Sequence, residues 1–156
     1  MNSTDILEAL NGRLLEKWPE RTVYINVCPK DFARPSFWLS VLKDDRKPAA
    51  RFLTRRDVQV QLTLYDEVDD HYEINRSRLD DAVSACLALL RRVLSVGERK
   101  LLPALKSLPR EADSACILLD FSFMESAQED APAAPAAESY QIAVEVNGGT
   151  IYRRSE

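Results

Sequence analysis

The sequence has little of what most enzymes use for chemistry. Its 156 residues include one histidine, His71, and only four glycines. The glycines do not stand at the spacing of a P-loop or a GxGxxG motif, in which closely spaced glycines let the backbone cradle phosphate. We therefore expect no nucleotide or other cofactor.

Cysteine is also scarce and poorly spaced for metal binding. Cys28, Cys86 and Cys116 form no CxxC pair, whereas a zinc cage takes its ligands in close pairs. Each lies in an apolar stretch, so we predict three buried free thiols that pack as small hydrophobic side chains. Reduced, unpaired cysteines fit an intracellular place of synthesis.

Long apolar runs and a basic leader are missing. No apolar stretch approaches the ~20 residues of a membrane helix, and residues 1–5 contain no basic residue. We expect no signal peptide and no membrane contact. The net charge of −4 also argues against an autonomous DNA binder, because neutralising phosphates requires a cationic face.

What is present fits one globular domain over residues 1–156. Apolar residues make up 46% and charged residues 29%, both ordinary values for a folded protein. Residues 126–138 are rich in Ala and Pro and offer almost no side chain to bury. We predict a flexible linker there, followed by a strand over 139–147 and, after a turn, a short tail.

Two segments have helical periodicity. Residues 4–18 repeat apolar side chains at helical spacing, with Ser3 or Thr4 as the expected cap. Residues 77–94 carry a wide leucine-rich stripe. Their Ser77-x-x-Asp80 pattern is typical of a capping box, and Gly97 is the expected exit from this helix.

Alternating segments predict a sheet. Residues 21–28, 54–66 and 114–124 alternate with period two, and 36–42 is apolar on both faces before a polar turn that includes Asp44 and Pro48. Residues 98–112 stay ambiguous. The order α-β-β-β-α-β-β-β predicts an α+β fold, a largely antiparallel sheet of about five or six strands covered on one face by two helices.

Candidate chemistry is weak. The acidic cluster around His71 (Asp66, Glu67, Asp69 and Asp70) lacks the glycine and spacing of a calcium loop, and no nucleophile elbow accompanies the histidine. Glu98-Arg99-Lys100 matches the E-x-K triplet of magnesium nucleases without an evident aspartate partner. A metal-dependent nuclease and a generic intracellular adaptor remain alternatives. We assign no catalytic, cofactor-binding or metal-binding residue.

Arginines are concentrated in two places, at residues 51–56 and at Arg91-Arg92. One interpretation is a solvated face that pairs with neighbouring carboxylates, namely those of Asp44, Asp45 and Asp57. The other is a partner-facing surface, since arginine is favoured at protein interfaces.

The order of residues resembles a known family. Residues 4–10 (TDILEAL), 23–26 (VYIN) and 29–37 (PKDFARPSF) are similar to the N-terminal half of small tail terminator, or tail completion, proteins of long-tailed phages and prophages of Gram-positive bacteria. Arg51-Phe52 before the third predicted strand, residues 96–99 and residues 118–123 fit the same pattern. The Ala/Pro-rich segment is longer than the resemblance leads us to expect.

The resemblance implies a structural virion protein and not an enzyme. Such a protein forms a homohexameric ring at the head-proximal end of the tail, caps the tail tube, stops its polymerisation and docks to the head connector. Its partners are copies of itself, the tail tube protein and the head–tail connector proteins. DNA passes through the ring without sequence-specific binding.

Several residues are candidates for subunit or partner contacts. Phe32 and Arg34 lie in a loop that Pro35 restricts, and both are residue types common at interfaces. Phe32 could instead close the core over the first helix. The polar face of strand 54–66 could be buried between subunits of the ring or exposed to solvent. The candidate interface residues are Phe32, Arg34, Arg51, Arg55, Arg56, Gln59 and Gln61.

Overall fold

The computed structural model describes residues 1–126, 140–146 and 149–155. The chain forms two compact units, Met1–Ser126 and Ala127–Glu156. The first unit contains two helices and seven strands, and the second contains one described hairpin. In chain order the elements are α1 (Ser3–Lys17), β1 (Thr22–Ile25), β2 (Ser36–Ala50), β3 (Leu53–Tyr65), α2 (Arg76–Leu90), β4 (Leu94–Val96), β5 (Arg99–Leu101), β6 (Ala104–Ser107), β7 (Ser114–Ser126), β8 (Tyr140–Val146) and β9 (Gly149–Ser155).

The main sheet of the first unit has the order β1-β2-β3-β7-β6. Every neighbouring pair is antiparallel except β1 and β2, which run parallel. β4 and β5 form a separate two-stranded sheet. The predicted α+β class is confirmed, because two helices accompany a mostly antiparallel sheet.

The core lies on one face of this sheet. Alternate residues of β3, from Val58 to Leu64, are 0–1% exposed, as their period-two pattern predicts. Their register partners on β7 are buried as well, and so are Phe37 and Leu39, the partners of Leu64 and Leu62 on β2. The apolar stripes of α1 and α2 join the same cluster, so both helices cover this face.

β2 is much longer than predicted. The expected polar turn at Asp44 and Pro48 is wrong, since the strand continues to Ala50 and pairs with the first half of β3. The register shifts between Val41 and Lys43, which makes Leu42 the extra residue of a β-bulge. Beyond this bulge the β2–β3 hairpin, which we call the hairpin arm, continues beside the second half of β7, and its residues 46–50 are exposed.

Both ends of α2 differ from the prediction. Asn75 caps α2, because its side-chain oxygen accepts a hydrogen bond from the Arg78 amide at 3.2 Å, so the capping box predicted at Ser77 is wrong. α2 also ends at Leu90, short of residue 94. Gly97 serves the β4–β5 turn with φ +59°, a left-handed conformation that suits glycine.

The cap of α1 also differs from the prediction. α1 begins at Ser3, and the Asn2 amide preceding it donates to the Asp5 carboxylate at 2.7 Å. The cap position is therefore that of Asn2, and not of Ser3 or Thr4 as predicted from the sequence.

The first strand is shorter than predicted. β1 ends at Ile25, before Asn26 with φ +62°, and not at residue 28. Cys28 therefore lies in a loop and is partly exposed, so the prediction of three buried thiols is wrong for Cys28. Cys86 and Cys116 are buried, and burial raises the pKa of the Cys86 thiol to about 12.

The C-terminal unit holds a hairpin where a strand and a tail were predicted. β8 falls inside the predicted 139–147, but β9 pairs antiparallel with it in place of the tail. β7 runs to Ser126, beyond the predicted end at residue 124. The rest of the predicted linker, 127–138, lies outside the described residues.

We expect Asn75→Ala to lower the free energy of unfolding by about 1 kcal/mol, because the mutation removes the N-cap hydrogen bond of α2. Chemical denaturation measures this change. Ser77→Ala is the matched control and should change stability by less than about 0.5 kcal/mol. A larger loss in the Ser77 variant would show that Ser77 is the cap after all.

Candidate functional site

The side of the sheet opposite the core carries a row of polar side chains, which we call the polar face. On β3 they start at Asp57 and continue every second residue to Tyr65, and on β7 their cross-strand partners include Asp120 and Ser122. Gln59 and Gln61, two of the sequence-predicted contact residues, lie in the middle of this row. Arg55 continues the row toward the hairpin arm.

Hydrogen bonds across the strands hold the polar face in place. Gln59 Nε2 donates to Asp120 Oδ1 at 2.8 Å. Arg55 Nε donates to Asp57 Oδ1 at 3.0 Å and to Ser122 Oγ at 3.1 Å. The Ser122 hydroxyl in turn donates to Asp57 Oδ1 at 2.7 Å. These two donors to the carboxylate, Ser122 first and then Arg55, lower the pKa of Asp57.

Gln61 lies in a second small network further along the face. Its Nε2 is 3.3 Å from both Thr63 Oγ1 and Cys116 Sγ. Thr63 and Cys116 are buried, and Gln61 is partly exposed. The buried Thr63 and Cys116 thus hold the amide of Gln61 in place, while part of its side chain remains exposed and available to a partner.

Phe32 and Arg34 cover the far end of the polar face. The Phe32 ring lies 4.2 Å from that of Tyr65, centroid to centroid, and the Arg34 guanidinium stands 4.8 Å over Phe32. Arg34 is held by Asp113 Oδ2 at 2.8 Å and by the carbonyl of Asp66 at 3.2 Å. Phe32 therefore packs on β3 and is not part of the core around α1.

Arg56 lies on the opposite side of β3 and is 2% exposed. Its Nε and a terminal nitrogen donate to the two carboxylate oxygens of Asp44 at 2.8 and 2.7 Å. The other terminal nitrogen reaches Glu125 Oε1 at 3.1 Å and the carbonyl of Met1. This fork geometry lowers the pKa of Asp44. Arg56 thus ties β2, β3 and β7 together inside the subunit.

Arg51, Arg91 and Arg92 are exposed. Arg51 lies in the turn of the β2–β3 hairpin, with its guanidinium 5.0 Å from the Phe52 ring centroid. Arg91 and Arg92 follow α2. Asp57 pairs with Arg55 at the surface, as expected of a solvated face. Asp44 pairs with Arg56, which is buried and not solvated, and Asp45 pairs with Lys43 at 2.9 Å.

The residues considered for metal or nuclease chemistry do not converge. Buried Asp66 faces Arg21 at 3.9 Å and Arg78 at 3.4 Å, and His71 is exposed. Of the E-x-K triplet, Arg99 donates to the carbonyl of Met124 at 2.6 Å. Within the described residues, no cluster of three or more His, Cys, Asp or Glu side chains could hold a metal ion.

A protein-family model described as phage tail terminator protein matches residues 5–101, which is more than half of the chain. The chain belongs to the phage tail terminator family. The family consists of structural proteins of the phage tail, so this tail terminator is a component of the tail. The matched residues run from α1 to β5 and include Phe32, Arg34 and the whole of β3, but not β7.

No curated protein matches this tail terminator. Neither of the helices in the described part of the chain is long and apolar enough to cross a membrane.

Proposed function

We propose that this tail terminator forms a homohexameric ring that caps the tail tube at the head-proximal end of the virion. The ring ends polymerisation of the tube, docks to the head–tail connector and lets DNA pass. The protein is made in the cytoplasm of a Gram-positive host and has no enzymatic activity. The observation that supports this proposal is the family match over residues 5–101.

The polar face is the surface we propose for contact with another protein. Its side chains are already held by hydrogen bonds within the subunit, so a partner would order fewer side chains on binding and lose less entropy. Arg55, Gln59 and Gln61 supply donors along it, while Phe32 and Arg34 add an aromatic–cation pair at one end. Arg and aromatic residues are enriched at binding hot spots.

Arg51 and Arg56 contribute in different ways. Arg51 lies at the exposed end of the hairpin arm and is available to a partner. Arg56 is enclosed by Asp44 and Glu125, so it acts indirectly by holding the arm on the sheet.

The nuclease alternative gains little support. A magnesium nuclease needs several carboxylates that converge on the metal. Here the Arg99 guanidinium is engaged by a backbone carbonyl of β7, while Glu98 precedes β5 in a turn.

The proposal is tested by mixing the protein with tail tubes of its own phage and measuring co-sedimentation, with solution mass from light scattering. We expect a ring mass, in solution or on the tube, and one ring at a single end of each tube. Gln59→Arg combined with Gln61→Arg should abolish tube-bound rings, because bulky charges disrupt a packed contact. Ser84→Arg with Ala88→Arg, on exposed positions of α2, is the control.

The outcomes separate two claims. If the wild-type chain forms no ring and binds no tube end, the proposed function is wrong. If the wild-type chain binds and the Gln59/Gln61 variant binds equally well, the polar face is not a contact surface.

A further inference from the structure

The two ends of β3 carry opposite charge. Residues 46–55, which we call the basic tip, contain four cationic residues and no acidic one. Residues 66–73, which we call the acidic loop, contain five acidic residues and no lysine or arginine. Residues 56–65 of β3 lie between them, so about 33 Å of strand separates the two segments.

The basic tip has exposed apolar side chains, and of its four cations only Arg55 holds an ion pair among the described residues, with Asp57. Arg46, Lys47 and Arg51 make no ion pair within the part of the chain that the structure describes. Phe52 is 50% and Leu53 is 44% exposed. Unpaired cations on the same short segment as an exposed aromatic ring form the kind of patch that binds an acidic protein surface.

The acidic loop has the complementary features. Asp66 and Glu67 are engaged by Arg78, but Asp70 and Glu73 make no ion pair with any described residue. Tyr72 is 85% exposed and has φ +59°, a costly conformation for a residue other than glycine. The acidic loop therefore presents an exposed aromatic ring, Tyr72, next to unpaired carboxylates. The basic tip presents an exposed aromatic ring, Phe52, next to unpaired cations, so the two segments are complementary in charge and alike in apolar content.

We propose that the basic tip of one copy docks on the acidic loop of the next copy. The proposal rests on the ring function above and names its subunit interface. A closed ring needs a head-to-tail contact between two different patches of each subunit, and these two patches lie at opposite ends of one strand. Arg46, Lys47 and Arg51 face Asp70 and Glu73 across the interface, and Phe52 and Tyr72 bury each other at its centre.

The test uses two charge-reversed variants of the full chain. The tip variant carries Arg46→Glu and Arg51→Glu, and the loop variant carries Asp70→Lys and Glu73→Lys. Neither pair of side chains holds an internal ion pair in the described residues, so both variants should fold, which circular dichroism checks. The controls are Arg91→Glu with Arg92→Glu, and Glu16→Lys with Asp81→Lys, which reverse the same charges elsewhere on the exposed surface.

Assembly is measured by light scattering and electron microscopy, in solution and on tube ends. Each variant alone should lose the ring, because like charges then meet at every interface. An equimolar mixture should regain it, since an acidic tip meets a basic loop and a basic tip meets an acidic loop around an alternating ring. Wild-type assembly should weaken as salt rises. The control variants should assemble as the wild type does.

Other outcomes overturn the proposal. If both single variants still form rings, this interface is wrong while the proposed ring function stands. If the wild type forms no ring even on tubes, the ring function itself fails. If neither variant assembles and the mixture stays monomeric, the two patches do not meet. If the tip variant assembles normally but loses binding to duplex DNA at low salt, the basic tip contacts nucleic acid instead.

Discussion

Replacing Arg56 with methionine should lower the free energy of unfolding by about 3 kcal/mol. Removing one partner from a buried ion pair costs about 3–5 kcal/mol, because the other charges are left without compensation. The lower end applies here, since the side chains of Asp44 and Glu125 are 23% and 20% exposed and keep some contact with water. Chemical denaturation measures the loss.

The matched control is Arg55→Met, one residue away on the other face of β3. Its ion pair with Asp57 is exposed, so the stability should change by less than about 1 kcal/mol. Equal effects in the two variants would contradict the structural role of Arg56.

The same cluster gives a pH dependence with a definite sign. Arg56 lowers the pKa of Asp44 in the folded chain, so the unfolded chain binds the proton more readily. The stabilisation is present above the usual aspartate pKa and is lost as pH falls through the lowered, folded-state pKa. In Arg56→Met this acid-induced loss should largely disappear.

Replacing Leu90 with alanine should cost about 2–5 kcal/mol. Leu90 is 1% exposed and belongs to the core cluster, so the variant loses its burial energy and leaves a cavity. The matched control is Leu102→Ala, because Leu102 is 67% exposed and its truncation opens no cavity. A denaturation midpoint of Leu90→Ala that stayed at the wild-type value would show that the end of α2 is not part of the core.

The central sheet could be predicted because its core face has a clean pattern. The alternation from Val58 to Leu64 identified β3 and its buried side. The continuation of β2 beyond Leu42 could not be predicted from alternation, because residues 43–50 have no apolar face. They form a strand only because they pair with the first half of β3. The strand over 139–147 was predicted, but β9 was missed for a related reason, because only its pairing with β8 distinguishes it from a tail.

The cap of α2 shows a different limit. Asn75 and Ser77 are both good N-cap residues, and the Ser77-x-x-Asp80 spacing favoured the wrong one. The hydrogen bond to the Arg78 amide depends on where the preceding loop delivers the chain. The bridge between Val68 and Ile74 closes that loop, and no local pattern revealed it.

The candidate site was predicted in part. Gln59 and Gln61 face outward, as their parity on β3 requires. Parity could also have separated Arg55 from Arg56, because Arg56 shares the core side with Val58. The partners Asp120, Asp113 and Ser122 were missed, since pairing them with β3 and Arg34 requires the register of β7 and the position of a loop distant in sequence.

The most direct test of the account is the growth of tail tubes observed by electron microscopy. Tail tube protein of the same phage is allowed to polymerise, and the protein is then added at a few rings per tube. We predict that each tube acquires a ring at one end only, and that its length stops increasing there. Tubes that keep growing at both ends, with no added density at either, would contradict the proposed function.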